Sequence, residues 1–95
     1  MAAFLIFSRE TVTDEAKSRR YSELVVPQIR QFGGEMIVAR GKTDLLEGDW
    51  RPHSVTLVKF ESKAALMAWW DSPDYAPLKQ MRQESNTGDI IVVEN

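Results

Sequence analysis

The sequence predicts an α+β domain, one antiparallel sheet with helices laid on one of its faces. Three observations point there. Short runs rich in β-branched and aromatic residues recur at the start, middle and end: FLIF, EMIVAR, SVTLVKF and DIIVVE. Longer stretches with helix-start signals lie between them. The chain has 95 residues, which fits a single domain over residues 1–95.

The elements follow in order. Ala2 to Phe7 reads as the first strand. Thr13 or Asp14 can cap a helix, and Glu15 falls where the helix dipole favours a negative charge. Tyr21, Leu24, Val25, Gln28 and Phe32 then share one helical face, apolar except for Gln28. Pro27 lacks an N–H and crowds the preceding turn, so a kink is expected there. Gly33-Gly34 supplies a left-handed end cap. Glu35 to Arg40 is the second strand and Ser54 to Phe60 the third. Gly41 to Pro52 connects them, and Lys42 to Leu46 can extend the pairing. Ser62 caps a helix through Trp70. Ser72 and Pro73 open a further short helix to Glu84, although Pro77 requires a late start or a bend. Asn86 to Gly88 reads as a turn, and Asp89 to Glu94 as the last strand. The order β-α-β-β-α-(α)-β is that of the split βαβ, or ferredoxin-like, arrangement.

The strands do not alternate apolar with polar residues. Phe4 and Ile6 oppose Leu5 and Phe7; Ile90 and Val92 oppose Ile91 and Val93. Helices cover one face only. The other would expose an apolar patch of roughly several hundred Å2, more than soluble monomers usually tolerate. A second copy packed sheet to sheet is the simplest cover, since most homo-oligomers are symmetric dimers. The expected assembly is therefore a homodimer, in which a small cavity has room between the layers.

Composition narrows the function. Twelve Lys and Arg stand against 14 Asp and Glu, a net charge of −2, with no basic run. Nucleic-acid and anionic-membrane partners are not expected. There is no cysteine, which excludes disulfides and a thiol nucleophile and suits a reducing cytoplasm. With one histidine besides, neither a metal site nor a cofactor is expected. The opening MAAFLIFSRE has no basic segment ahead of its short apolar run, so it does not read as a secretion signal.

The segments LLEGDWRP, VTLVKFESKAALMAWWDSPDYAPLKQMR and TGDIIVVE, with the opening strand and FGGE after the first helix, resemble the bacterial domain of unknown function family 1330. The resemblance implies the dimeric α/β-barrel variant of the ferredoxin-like fold. That family has no established reaction, so no catalytic residue is carried over. Wider relatives of the barrel include cofactor-free oxygenases, lactone isomerases and haem enzymes, a likeness of fold rather than of function.

The candidate residues are few. His53 alone titrates near neutrality, and Asp49 or Glu47 could orient it as a general base; otherwise it is a surface histidine at a strand start. Trp50 in a polar connection is expected to be buried, with Arg51 beside it pairing a carboxylate at the dimer seam or gripping a ligand carboxylate. Trp69 and Trp70 point about 100° apart on a helix, so one fills the core and the other faces elsewhere. Trp70, Tyr75 and Arg82 could form an apolar cleft with a cationic end, suited to a small aromatic or aliphatic acid; Tyr21 and Phe4 could border it. The bland counterpart is an aromatic core beside a solvated arginine. No nucleotide-binding or hydrolase motif is present. The reading is a small-molecule-binding homodimer without shown catalysis; a cofactor-independent oxygenase or isomerase, or a non-catalytic dimeric assembly module, are the alternatives.

Overall fold

A computed structural model describes all residues, 1–95. Its elements are β1 (Ala3–Val12), α1 (Glu15–Gln31), β2 (Glu35–Gly41), β3 (Ser54–Phe60), α2 (Lys63–Trp70), α3 (Ala76–Ser85) and β4 (Asn86–Glu94). The four strands form one sheet in the order β2-β3-β1-β4, each neighbouring pair antiparallel. This is the ferredoxin-like α+β fold expected from the element order.

β1 is the central strand and sets the register. Leu5 lies opposite Val58 and Val92, Phe7 opposite Thr56 and Ile90, and Arg9 opposite Ser54 and Gly88. Ala3, Leu5, Phe7 and Arg9 are buried under the helices. Phe4, Ile6 and Ser8 face the other way, where α-helices give no cover. A bulge after Arg9 shifts the pairing with β4, so that Thr11 meets Thr87.

Three helix starts and stops follow their sequence signals. Asp14 caps α1, its carboxylate accepting the Lys17 N–H at 3.0 Å. The end of α1 closes as a Schellman turn: Gly34 N–H donates to the Ile29 carbonyl and Gly33 N–H to that of Arg30. Gly33 has φ +86, a left-handed conformation that favours glycine. Gly34 is required for another reason, since a Cβ there would lie 2.6 Å from both Ile29 and Phe60 side-chain atoms. Ser62 caps α2 through the Ala65 N–H at 3.1 Å.

Several boundaries differ from the sequence reading. β1 runs five residues past Phe7, because its pairing with β3 and β4 continues beyond the apolar run. α1 is continuous through Pro27; its buried face is Ser18, Tyr21, Val25 and Ile29, at spacings of three and four. Gln28 sits at the flank and ties two helices: its amide donates to the Asp74 carbonyl and accepts the Trp69 indole N–H. α3 begins at Ala76, which places Pro77 in its first turn, where no intrahelical donor is needed. Asn86 to Gly88 is strand rather than turn; α3 passes directly into β4.

The core lies between the sheet and the helices. Val58, Phe60, Leu66 and Trp69 are almost wholly enclosed, each such side chain contributing about 1.5–3 kcal/mol. Trp69 stacks on Phe60 with ring centres 6.0 Å apart and lies 4.2 Å from Tyr75.

Candidate functional site

A cavity opens inside this core, between β1, β2 and β3 on one side and α1 and α2 on the other. Its volume is 40 Å3, room for about two or three waters. Its walls are mostly apolar, with Leu5, Phe7, Val25, Ile29, Trp69 and Trp70 among them. Its polar groups are Arg9, Arg40, Tyr21, Tyr75, Ser22 and Thr56. The lining holds no carboxylate and no imidazole.

Arg9 is the most informative of these. It is only 1 % exposed. Its Nε donates to Asn86 Oδ1 at 2.8 Å and its Nη1 to Ser54 Oγ at 2.9 Å, both neutral acceptors. Its guanidinium lies over the Phe7 ring, 4.6 Å from the centroid. No carboxylate bonds to it, and Nη2, which is not fully enclosed, makes no hydrogen bond within the protein. Burial, followed by repulsion from Arg40, lowers its pKa to about 10. It is therefore still a cation at neutral pH. A buried, unpaired charge is normally avoided.

A second cation stands behind the aromatic wall. Arg82 is buried, donates through Nε to Tyr75 Oη at 3.2 Å, and lies within 6 Å of the Phe7 and Trp70 ring centres. Tyr75 Oη is also 2.9 Å from Tyr21 Oη. One of the two phenolic protons fills that bond; the other has no acceptor in the protein. Burial raises the Tyr21 pKa well above the usual phenol value, so it stays a neutral donor. The polar end of the cavity thus has more donors than acceptors.

Asn86 holds this end together. Its Oδ1 accepts from both Arg9 and Ser18, and its Nδ2 donates to the Arg82 carbonyl and to Ser85 Oγ. Four elements meet there, which fixes the direction of the Arg9 fork.

Of the residues singled out from sequence, Trp70 and Tyr75 line the cavity, Arg82 bonds to Tyr75 from behind, and Tyr21 lines it as well. Phe4 does not; it belongs to the outer sheet face. Trp50 is 63 % exposed rather than buried, its indole N–H donating to Ser8 Oγ at 3.0 Å over that same outer face. Arg51 is exposed and forms no ion pair with Asp49 or Glu47. Trp50 and Arg51 border two larger depressions outside the sheet that share no lining residue with the cavity. His53 is exposed; only its backbone is engaged, donating to the Arg9 carbonyl. Neither Asp49 nor Glu47 orients its ring. Arg9 and Arg40 were missed. Alternation along β1 carries residue 9 onto the face of Leu5 and Phe7, a signal that was present once the strand is extended.

No group of three or more His, Cys, Asp or Glu side chains is placed to hold a metal ion. No helix is long and apolar enough to cross a membrane.

Residues 2–95 match the domain of unknown function DUF1330. The chain belongs to that family. Among solved structures, it is similar to RPA0582, a protein of unknown function from Rhodopseudomonas palustris, with TM-score 0.69 and 20% identity over 97% of this chain and 78% of that one. The methylated form of RPA0582 gives TM-score 0.70 at 18% identity, over 99% and 79%. SnoaB, a cofactor-independent oxygenase from Streptomyces nogalater, gives TM-score 0.51 at 14% identity, over 99% and 90%. At these identities the likeness of this DUF1330 chain to each is one of fold. No curated protein matches it.

Proposed function

We propose that this DUF1330 protein binds a small organic anion, an aromatic or aliphatic carboxylate, at the cavity between sheet and helices, which has to widen around the ligand's apolar body. One observation carries the reading: a cavity with apolar walls ends in donors that the protein leaves without acceptors, Arg9 Nη2 and one proton of the Tyr21–Tyr75 pair. A carboxylate accepts only, and it would supply the charge that Arg9 lacks. The apolar body of the ligand would lie against Trp69 and Trp70. A lining without carboxylate or imidazole offers no general base, so binding is favoured over a proton-abstracting reaction. The oxygenase activity named for SnoaB is therefore not carried over.

The working unit in this reading is a homodimer. Ile91 and Val93 on β4, and Ile37 and Val38 on β2, are large apolar side chains left exposed on a single chain. With Phe4, Ile6 and Leu57 between them, they make a face suited to a second copy. Light scattering should give close to twice 10.9 kDa.

The binding test is a 1H–15N NMR titration with benzoate and hexanoate beside benzyl alcohol and hexanol. The acids should shift amides of Phe7, Arg9 and Tyr75, and the alcohols should not. Arg9→Met should weaken acid binding by about tenfold or more, the worth of a hydrogen bond to a charged group. Equal shifts from acids and alcohols would remove the anion from the proposal.

A further inference from the structure

The cavity is small, and its outer limit is formed by charge. Arg40 and Ser22 line both the cavity and a shallow depression on the surface outside it. They are where inside and outside meet, between α1 and the edge strand β2. Arg40 Nη2 lies 3.2 Å from Glu15 Oε1, so an ion pair spans the gap from β2 to the first turn of α1. Arg40 is also the one non-glycine residue with positive φ, +52, at an irregularity in the β2–β3 pairing. Strain of this kind persists where the surroundings fix it. Here the Arg40 N–H donates to Thr56 Oγ1 at 3.1 Å, and a Cβ at Gly41 would collide with Val38.

Three features make the pair easy to open. Glu15 is half exposed, and an exposed ion pair of this sort is weak. Glu15 keeps a second partner, Arg19 Nε at 3.1 Å, so its release from Arg40 leaves it paired. Arg40 repels Arg9, which an anion between the two would relieve.

We infer that Arg40 is a second anion-binding residue of the cavity, and that Glu15 is its internal competitor, closing the mouth until a ligand carboxylate takes Arg40 over. This rests on the reading of the cavity as an anion site. It also narrows the ligand class: an acid whose carboxylate can exchange with a glutamate on an arginine fork, attached to an apolar body that enters between Ser22 and Arg40.

The test is a benzoate and hexanoate titration of four proteins: wild type, Glu15→Gln, Arg40→Asn and the double variant. Asparagine is chosen at 40 because it tolerates positive φ. Glu15→Gln should tighten binding about two- to fivefold, the scale of one exposed ion pair. Arg40→Asn should weaken it, and adding Glu15→Gln to that background should change nothing. Dispersed NMR spectra and matched melting temperatures show that each variant is folded. A second readout needs no ligand: amides of Ser22 to Val26 should exchange faster in Glu15→Gln than in the wild type. An affinity unchanged by Glu15→Gln, or a gain that persists without Arg40, overturns the latch. If Arg9→Met weakens binding while Glu15→Gln and Arg40→Asn leave it unchanged, the anion site stands and only the latch falls. If neither acid binds the wild-type protein, both fall.

Discussion

On β1, Ala3, Leu5, Phe7 and Arg9 face the helices, while Phe4, Ile6 and Ser8 face away. The two faces differ in what they lack. The inner face is densely packed and apolar until it reaches Arg9, a buried cation with only neutral acceptors. The outer face is apolar and stays open on a single chain, with Trp50 lying across Ser8 at its end. Hydrophobicity alone does not distinguish them, since Leu5 and Ile6 are equally apolar. The helices decide which is core. The inner face is complete in packing and incomplete in charge; the outer face is complete in charge and incomplete in packing. An anion answers the first and a protein surface the second.

The sharpest way to break this comparison is to put the same charge on each face. Leu5→Lys places an ammonium in the core beside Val58 and Val92 and should destabilise the fold by about 3–5 kcal/mol or unfold it. Ile91→Lys should leave the spectrum of a folded chain intact and halve the mass seen by light scattering. Urea denaturation of the two variants checks the contrast; equal losses of stability would mean that the outer face is core as well.

A smaller effect tests the tightness of the inner layer alone. Gly34→Ala drives a methyl group against Ile29 and Phe60, and should cost about 1–3 kcal/mol in a chemical denaturation curve. The matched control is Gly33→Ala, where nothing lies near the new methyl group and only the left-handed backbone is strained.

Arg9→Met separates packing from charge on the inner face. It removes two hydrogen bonds and also the burial of an uncompensated cation, and these oppose each other. Stability should change by no more than about 1 kcal/mol, because apolar replacements of buried ionic groups are often neutral or better. Asn86 keeps Ser18 as a donor to its oxygen, and Ser54 Oγ is the one acceptor that loses its partner. A large loss would make Arg9 a structural staple and weaken the anion reading.

The smallest effect concerns acid. Glu15 titrates below the usual carboxylate range, held there mainly by the hydrogen bond from Arg19 and then by Arg40. A lowered folded-state pKa contributes stability that is present above the ordinary value and is lost as pH falls through the depressed one. Glu15→Gln should therefore lower stability slightly above the ordinary glutamate range and converge with the wild type as pH falls through the depressed value, which flattens the acid limb. Because Glu15 is exposed, the change will be slight, read as a small shift in the denaturation midpoint.

Much of the frame was legible in the chain. Asp14 and Ser62 as caps, Gly33-Gly34 as a stop and the succession of strands and helices along the chain all depend on residues adjacent in sequence, whose conformational preferences act locally. The cavity was half legible. Trp70, Tyr75 and Arg82 share a region because they follow one another through α2 and α3. Arg9 was hidden because a charged residue after an apolar run looks like the end of a strand, and only its partners on β3 and β4 keep it inside. The polar connection from Glu47 to His53 misled for the converse reason: it gathers residues that resemble a site, yet it lies over the outer sheet face, where Ser8, Glu10 and Asp89 meet it and none of the cavity's polar side chains do.

The sequence by itself determined the kinds and order of the elements and the fact that the strands are apolar on both sides, since these follow from short-range sterics and from side-chain alternation. Only the tertiary structure decided which side is covered, and that Arg9 and Arg40 meet Tyr21 and Tyr75 around one cavity. Those groups come from β1, β2, α1 and the start of α3, separated by up to 66 positions of chain from Arg9 to Tyr75. Their meeting depends on strand order and helix placement, which no local preference encodes.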